Sequence, residues 1–237
     1  MEIPNIIMKR KANKMSYQLP YQLPFQDQLH IDGFEIISCG DVITGEIADE
    51  LMDSGDTGSI IFNNKAKGGD RKRSQTFIKN NKISKSLRRW KRSIENALKH
   101  RYPNLIPNDM VVLKSVNGCE KQIAHCDYEQ DLDFGMCPDD NIPLGCLICI
   151  MEGTTLDVWE KSHRLPCLGP KLTKNIDPRT TIELEVGEML VFRGDLVHAG
   201  SSYQSDNYRV HLFLDSGKVK RYKNRTWFMN KADYISD

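Results

Sequence analysis

Four residues stand at spacings that could do chemistry: His125 and Asp127 in the triplet His125-Cys126-Asp127, then His198, then Arg209 eleven residues later. Residues two apart on a strand leave the same face, so His125 and Asp127 offer an imidazole and a carboxylate side by side. His198 follows the apolar run Met189 to Phe192 and a Gly-Asp turn. As a third ligand from a distant strand it would complete one face of an octahedron. Two histidines and one carboxylate, with the remaining positions open, suit ferrous ion in a non-haem site. Arg209 sits on the next strand, where a planar guanidinium pairs bidentately with a carboxylate. A buried arginine needs such a partner, either a bound dicarboxylate or Asp127 or Asp195.

Two other patterns carry less. A second His-x-Asp triplet, His30-Ile31-Asp32, lies at the edge of an N-terminal arm, and its Asp32-Gly33 reads as a turn. Cys146 and Cys149 form a CxxC, but inside the apolar run Leu144 to Ile150 and with no second pair at zinc-site spacing. They read as buried strand cysteines. Seven cysteines without a secretion signal at the N-terminus point to reduced thiols and an intracellular, cytoplasmic protein.

The elements that must position these groups fall into two textures. Residues 1–30 read as an extended arm, with Tyr17-Gln-Leu-Pro repeated at once as Tyr21-Gln-Leu-Pro. Residues 31–237 read as one domain: a helical buttress over 31–109, a β core over 110–215 and an extension over 216–237. In the buttress, Phe34 to Ser38 predicts a strand, Val42 to Met52 a helix closed by Gly55, and Ile60 to Asn63 a strand. Asn64 to Arg73 predicts a mobile loop. Ser84 to His100 predicts the clearest helix, with Ile83, Leu87, Trp90, Ile94 and Leu98 in one stripe and Tyr102-Pro103 stopping it. From Met110 come short strands between Gly, Pro, Asn and Asp turns: 111–116, 121–127, 144–151, 154–159, 180–186, 189–192 and 210–214. The expected fold is mainly β, with the N-terminal helices packed on one face of the sheet.

Here the residues reach a family. The chain resembles the 2-oxoglutarate- and iron(II)-dependent oxygenases with a double-stranded β-helix, jelly-roll or cupin-like core, and within them the phytanoyl-CoA dioxygenase-like branch. The resemblance rests on His125-Cys126-Asp127, on Leu156-Asp-Val-Trp-Glu-Lys-Ser-His163-Arg164, on Gly194-Asp-Leu-Val-His198 and on the eleven-residue step from His198 to Arg209. It covers roughly 110–215. It implies that His125, Asp127 and His198 hold Fe(II) and that Arg209 binds the distal carboxylate of 2-oxoglutarate. It further implies that O2 is consumed, that succinate and CO2 are released and that a C–H bond of a small molecule or peptide is hydroxylated. Members of that branch often place a serine two residues after the distal histidine. This chain has Gly200 there, and Ser201 next to it is the substitute candidate. Lys114 on the preceding strand is a further candidate for the co-substrate, and Tyr128 and Trp159 for the substrate. Acidic residues 129–141 are expected to cover the mouth.

Two other classes compete. Residues 65–92 hold twelve basic side chains and one acid, Asp70, which could attract an acidic or nucleic-acid partner. A cupin-like metal-binding module without catalysis would use that surface, and so would a nucleic-acid demethylase. A solvated helix face accounts for the same charges. No apolar run reaches the roughly 18 residues a membrane helix needs, so no membrane partner is expected.

Overall fold

The computed structural model describes residues 7–8, 27–40, 42–60, 71–128, 141–164, 180–219 and 227–228. Its strands are β1 Ile7–Met8, β2 Phe34–Ser38, β3 Ser59–Ile60, β4 Arg73–Phe77, β5 Ile106–Ser115, β6 His125–Cys126 and β7 Leu144–Cys149. They continue with β8 Thr154–Val158, β9 Thr180–Leu184, β10 Glu188–Arg193, β11 His198–Gly200, β12 Asn207–Asp215 and β13 Trp227–Phe228. The helices are α1 Asp27–Asp32, α2 Gly45–Asp56 and α3 Lys85–Arg101.

From β5 to β12 the chain alternates between two facing sheets, except at the β8–β9 hairpin, which stays in the smaller one. The larger sheet runs β2-β10-β7-β12-β5-β4-β3 and the smaller β1-β9-β8-β11-β6-β13. This crossing pattern is the double-stranded β-helix expected above. The central strand β7 shows why the sequence folds this way, since all six of its residues are buried. Cys146 and Ile148 join the core layer under the helices, while Leu147 and Cys149 join the layer between the sheets. Strict alternation divides one apolar run between two cores. It also sends the two cysteines to opposite faces, so the CxxC is not a chelating pair. The same parity on β12 turns Val210, Leu212 and Leu214 towards the helices. It leaves Arg209, His211 and Phe213 facing the barrel interior.

Helix α3 is capped by Ser84, whose Oγ accepts from Leu87 N at 3.0 Å. Its stripe of Leu87, Trp90, Ile94 and Leu98 is buried, each side chain contributing roughly 1.5–3 kcal/mol. Lys99, His100 and Arg101 complement its C-terminal dipole. Helix α2 differs from expectation by running past Gly55 to Asp56. Gly55 is inside the helix because a Cβ there would lie 2.9 Å from the Tyr208 ring and 3.1 Å from Val112. The helix must approach the sheet that closely.

Three further differences have physical reasons. Strand β2 has the bounds expected, while β3 starts at Ser59, one residue before the expected strand, and both join the larger sheet together with β4. Strand β4 begins at Arg73, the last residue of the expected loop, and runs through 74–77, where no element was expected because Arg-Ser-Gln-Thr-Phe lacks an apolar alternation. The expected strand over 121–127 is regular only at His125–Cys126. Before that, Cys119 makes an isolated bridge to Tyr203 and Gln122 N donates to Gly200 O at 2.9 Å. Of the arm, Ile7–Met8 pairs in parallel with β9, and Asp27 to His30 begin α1. The rest of the arm, the acidic segment over 129–140 and most of the 216–237 extension lie outside the described residues. No helix among those described is long and apolar enough to cross a membrane. Cys39, Cys119, Cys126, Cys146 and Cys149 are buried.

Candidate functional site

Strands β6 and β11 bring the two histidines together. His198 pairs directly with His125 across the ladder, and their ring centroids lie 4.5 Å apart. Each ring is oriented by a backbone carbonyl two residues earlier. His125 Nδ1 lies 2.7 Å from Ile123 O, and His198 Nδ1 lies 3.0 Å from Leu196 O. A carbonyl only accepts, so in both rings Nδ1 carries the proton and Nε2 keeps its lone pair. Asp127 follows at the end of β6, with Oδ1 3.7 Å from His198 Nε2. The ligand atoms of His125, Asp127 and His198 all lie within 4.8 Å of one another.

Electrostatics leave the three groups in the forms a metal needs. Burial, with His198 beside it, lowers the His125 pKa to about 3. Burial likewise lowers that of His198. For Asp127 burial acts upward, but His198, His211 and His125 together hold its carboxyl below the usual range. At neutral pH the set is two neutral imidazoles and a carboxylate. Asp127 Oδ2 is buried and has no hydrogen-bond partner among the described residues. Such a set lacks the positive charge that a divalent cation would supply, and its donors fit iron, cobalt or nickel.

Arg209 lies on the inward face of β12 and is 3% exposed. Its Nη1 donates to Ser115 Oγ at 3.0 Å and Asn207 Oδ1 at 3.5 Å, and the guanidinium stands 5.1 Å from the Tyr203 ring centroid. Tyr203 is itself fixed, donating to Thr155 O and accepting from Thr155 N. The carboxylates named above as alternative partners have other roles. Asp195 takes two bonds from Arg193, and Asp127 lies between His198 and His211.

Other candidates are placed differently. Lys114 shares its strand face with Met110 and Val112, towards the helices, and pairs with Asp56 at 2.6 Å. It faces away from the interior, so its expected co-substrate role is corrected. Tyr128 is buried in the wall, and its hydroxyl donates to Asp215 Oδ1 at 2.7 Å. Its hydroxyl is thereby committed to that carboxylate. Trp159 is also buried, extending β8 with its N–H on Val197 O. Ser201 Oγ donates to Asp157 Oδ1 at 3.2 Å, and its carbonyl accepts from the buried Arg73 at 2.6 Å. Gly200 stands where a serine was looked for because a Cβ would lie 2.4 Å from Gln122 Oε1, which accepts from Gly200 N.

The Ser162-His163-Arg164 segment is a 3-10 turn that acts as a clamp. Ser162 Oγ accepts from Val197 N at 2.9 Å, directly before His198. His163 and Arg164 both donate to His30 O in the last turn of α1. His30-Ile31-Asp32 therefore belongs to a helix end and its anchor. The basic stretch divides: Arg73 is interior, Trp90 is core, and Lys85, Arg88, Arg89 and Arg92 line an open groove with Ser93 and Asn96.

Sequence reasoning missed four residues of this site, namely Ser115, Tyr203, Asn207 and His211. His211 was within reach, since it follows Arg209 by two and must share its face. Its Nε2 lies 3.6 Å from Asp127 Oδ2.

No protein-family model matches the chain, and no curated protein matches it in sequence. Solved structures do match the fold. One is the non-haem alpha-ketoglutarate-dependent epimerase SnoN from nogalamycin biosynthesis, with TM-score 0.56 and 13% identity over 80% of this chain and 79% of that one. Another is HygX from Streptomyces hygroscopicus, solved with nickel and 2-oxoglutarate bound, with TM-score 0.60 and 11% identity over 86% and 91%. A third is a Trichoplax adhaerens prolyl hydroxylase in complex with a hypoxia inducible factor peptide, with TM-score 0.53 and 15% identity over 81% and 88%. At these identities the likeness is one of fold: the chain has the double-stranded β-helix that these enzymes share.

Proposed function

We propose that this chain is a 2-oxoglutarate- and Fe(II)-dependent dioxygenase that hydroxylates a C–H bond of a small molecule or peptide, releasing succinate and CO2. The observation that carries the reading is the convergence of His125, Asp127 and His198, with both Nε2 lone pairs unprotonated, in the same interior that Arg209 enters. His125, Asp127 and His198 would hold the iron. Bound iron supplies Lewis-acid and redox chemistry, with O2 as oxidant and 2-oxoglutarate as two-electron donor.

The protein's share is positional. Ile123 O and Leu196 O fix the two ring tautomers. Arg209 presents its fork to the distal carboxylate of 2-oxoglutarate, with Ser115 and Asn207 holding one nitrogen and Tyr203 beneath the plane. His125, His198 and Arg209 are themselves buried. The Ser162-His163-Arg164 segment supports placement in the phytanoyl-CoA dioxygenase-like branch, where its work is to clamp the approach to His198. The fold neighbours include an epimerase from nogalamycin biosynthesis and a prolyl hydroxylase in complex with a peptide, which supports the substrate class only at that breadth.

The test is anaerobic addition of Fe(II) and 2-oxoglutarate to the full chain, watching for a visible charge-transfer band. Asp127→Ala should abolish it. Arg209→Ala removes charge-assisted hydrogen bonds of about 1.5–3 kcal/mol each, so 2-oxoglutarate affinity should fall roughly 100-fold or more. Metal binding that ignores 2-oxoglutarate would overturn the oxygenase reading in favour of a non-catalytic metal-binding module.

A further inference from the structure

We propose that His211 is a positioning residue for Asp127, holding its Oδ2 so that Oδ1 alone remains free to ligate a metal. The inference rests on the oxygenase reading and assigns a role within the same site. His211 lies outside the cluster of mutually close ligand atoms, yet its Nε2 lies 3.6 Å from Asp127 Oδ2, a buried carboxylate oxygen that lacks a hydrogen-bond partner among the described residues. The other oxygen faces His198 Nε2 at 3.7 Å. A few tenths of an ångström bring the His211 pair to hydrogen-bond distance, and such bonds tighten when a site is loaded.

The ring is held for this purpose. Phe213 meets it edge-on with centroids 4.7 Å apart, and Phe192 packs against both His211, at 6.2 Å, and His198, at 4.7 Å. Gly145 pairs with both phenylalanines across the sheet, and its missing side chain leaves the space that Asp127 Oδ2 and Phe192 fill. An aspartate ligand free to turn can bind through both oxygens and take an additional coordination position. One N–H on Oδ2 keeps the carboxylate monodentate, and the positions needed by co-substrate and O2 stay open. Arg209 and His211, two apart on β12, would thus orient the co-substrate and the metal ligand from a single strand face.

The experiment is anaerobic titration of the full chain with Co(II), following both affinity and the ligand-field spectrum, with thermal unfolding as a check of folding. His211→Gln places an amide N–H near the Nε2 position, whereas His211→Asn stops one bond short and His211→Phe keeps the ring without a donor. Phenylalanine and asparagine variants should bind Co(II) roughly 10- to 100-fold more weakly with an altered spectrum. The glutamine variant should restore the wild-type spectrum and most of the affinity. If the phenylalanine variant does not fold, the contrast between asparagine and glutamine decides the matter. Wild-type affinity and spectrum in the asparagine or phenylalanine variant, or a glutamine variant no better than asparagine, would overturn the proposal while leaving the site intact. A wild-type protein that binds no more Co(II) than Asp127→Ala would instead sink the site reading, and this inference with it.

Discussion

Gly145→Ala tests whether the site depends on the packing behind it. A Cβ at Gly145 would lie 2.4 Å from Phe192 Cζ, 2.5 Å from its Cε2 and 3.1 Å from Asp127 Oδ2. Opening 2.4 Å to an ordinary contact of about 3.4 Å requires the Phe192 ring to move by about 1 Å. Phe192 is 1% exposed and packed on His198, so it has no free direction. Overpacking of this kind costs about 1–3 kcal/mol, or roughly 2–12 °C in Tm for a domain of this length. Because the displaced ring touches His198 and the new methyl crowds Asp127, Co(II) affinity should also fall by about tenfold or more. Phe192→Leu removes the clashing ring atoms and by itself should cost roughly 1–2 kcal/mol. In the double variant the new Cβ occupies part of the vacated space. The pair should then be more stable than the sum of the singles by at least about 1 kcal/mol. Differential scanning calorimetry and anaerobic Co(II) titration of all four proteins complete the cycle. Wild-type Tm in Gly145→Ala, or strict additivity in the double variant, would refute the packing argument.

Ser162→Ala leaves the buried Val197 N–H without its acceptor, which should cost about 1–3 kcal/mol and speed hydrogen exchange at Val197, measurable by mass spectrometry. Burial, with Arg193 nearby, lowers the His163 pKa from 6.5 to about 4. The unfolded chain therefore takes up this proton first, so the contribution is intact above about pH 6.5 and is lost as the pH falls towards 4. Allowing for screening at a half-buried group, the loss should be about 1–2 kcal/mol, seen as a gentler fall of the urea midpoint between pH 7 and 4.5 in His163→Gln than in wild type. Lys114→Met should leave 2-oxoglutarate affinity unchanged and reduce stability by less than about 1 kcal/mol, because the Lys114–Asp56 pair is solvent-accessible on the helix side. A loss of 2-oxoglutarate affinity in that variant would return Lys114 to the pocket.

Much of this protein was legible in one dimension because the signals were local or periodic. The Ser84 cap and the Leu87-Trp90-Ile94-Leu98 stripe specify α3 without reference to anything beyond it. The Phe34–Ser38 strand and the β7 run follow from apolar content and turn residues. His125, Asp127, His198 and Arg209 could be singled out by spacing, since two residues on one strand share a face wherever that strand lies. What the sequence could not determine was which face meets which. Lys114 and Ser115 are adjacent in the chain, yet only Ser115 reaches Arg209, because strand parity and the position of α2 send Lys114 to Asp56. Ser201 and Tyr128 are neighbours of site residues in sequence, and their hydroxyls are taken by Asp157 and Asp215 from other parts of the chain. The pairing of His125 with His198, and the approach of His211 to Asp127, depend on contacts across 73 and 84 residues of chain. Spacing determines which side chains are available on a strand. The register between strands, set by the packing of the sheets and helices described above, decides which of them converge.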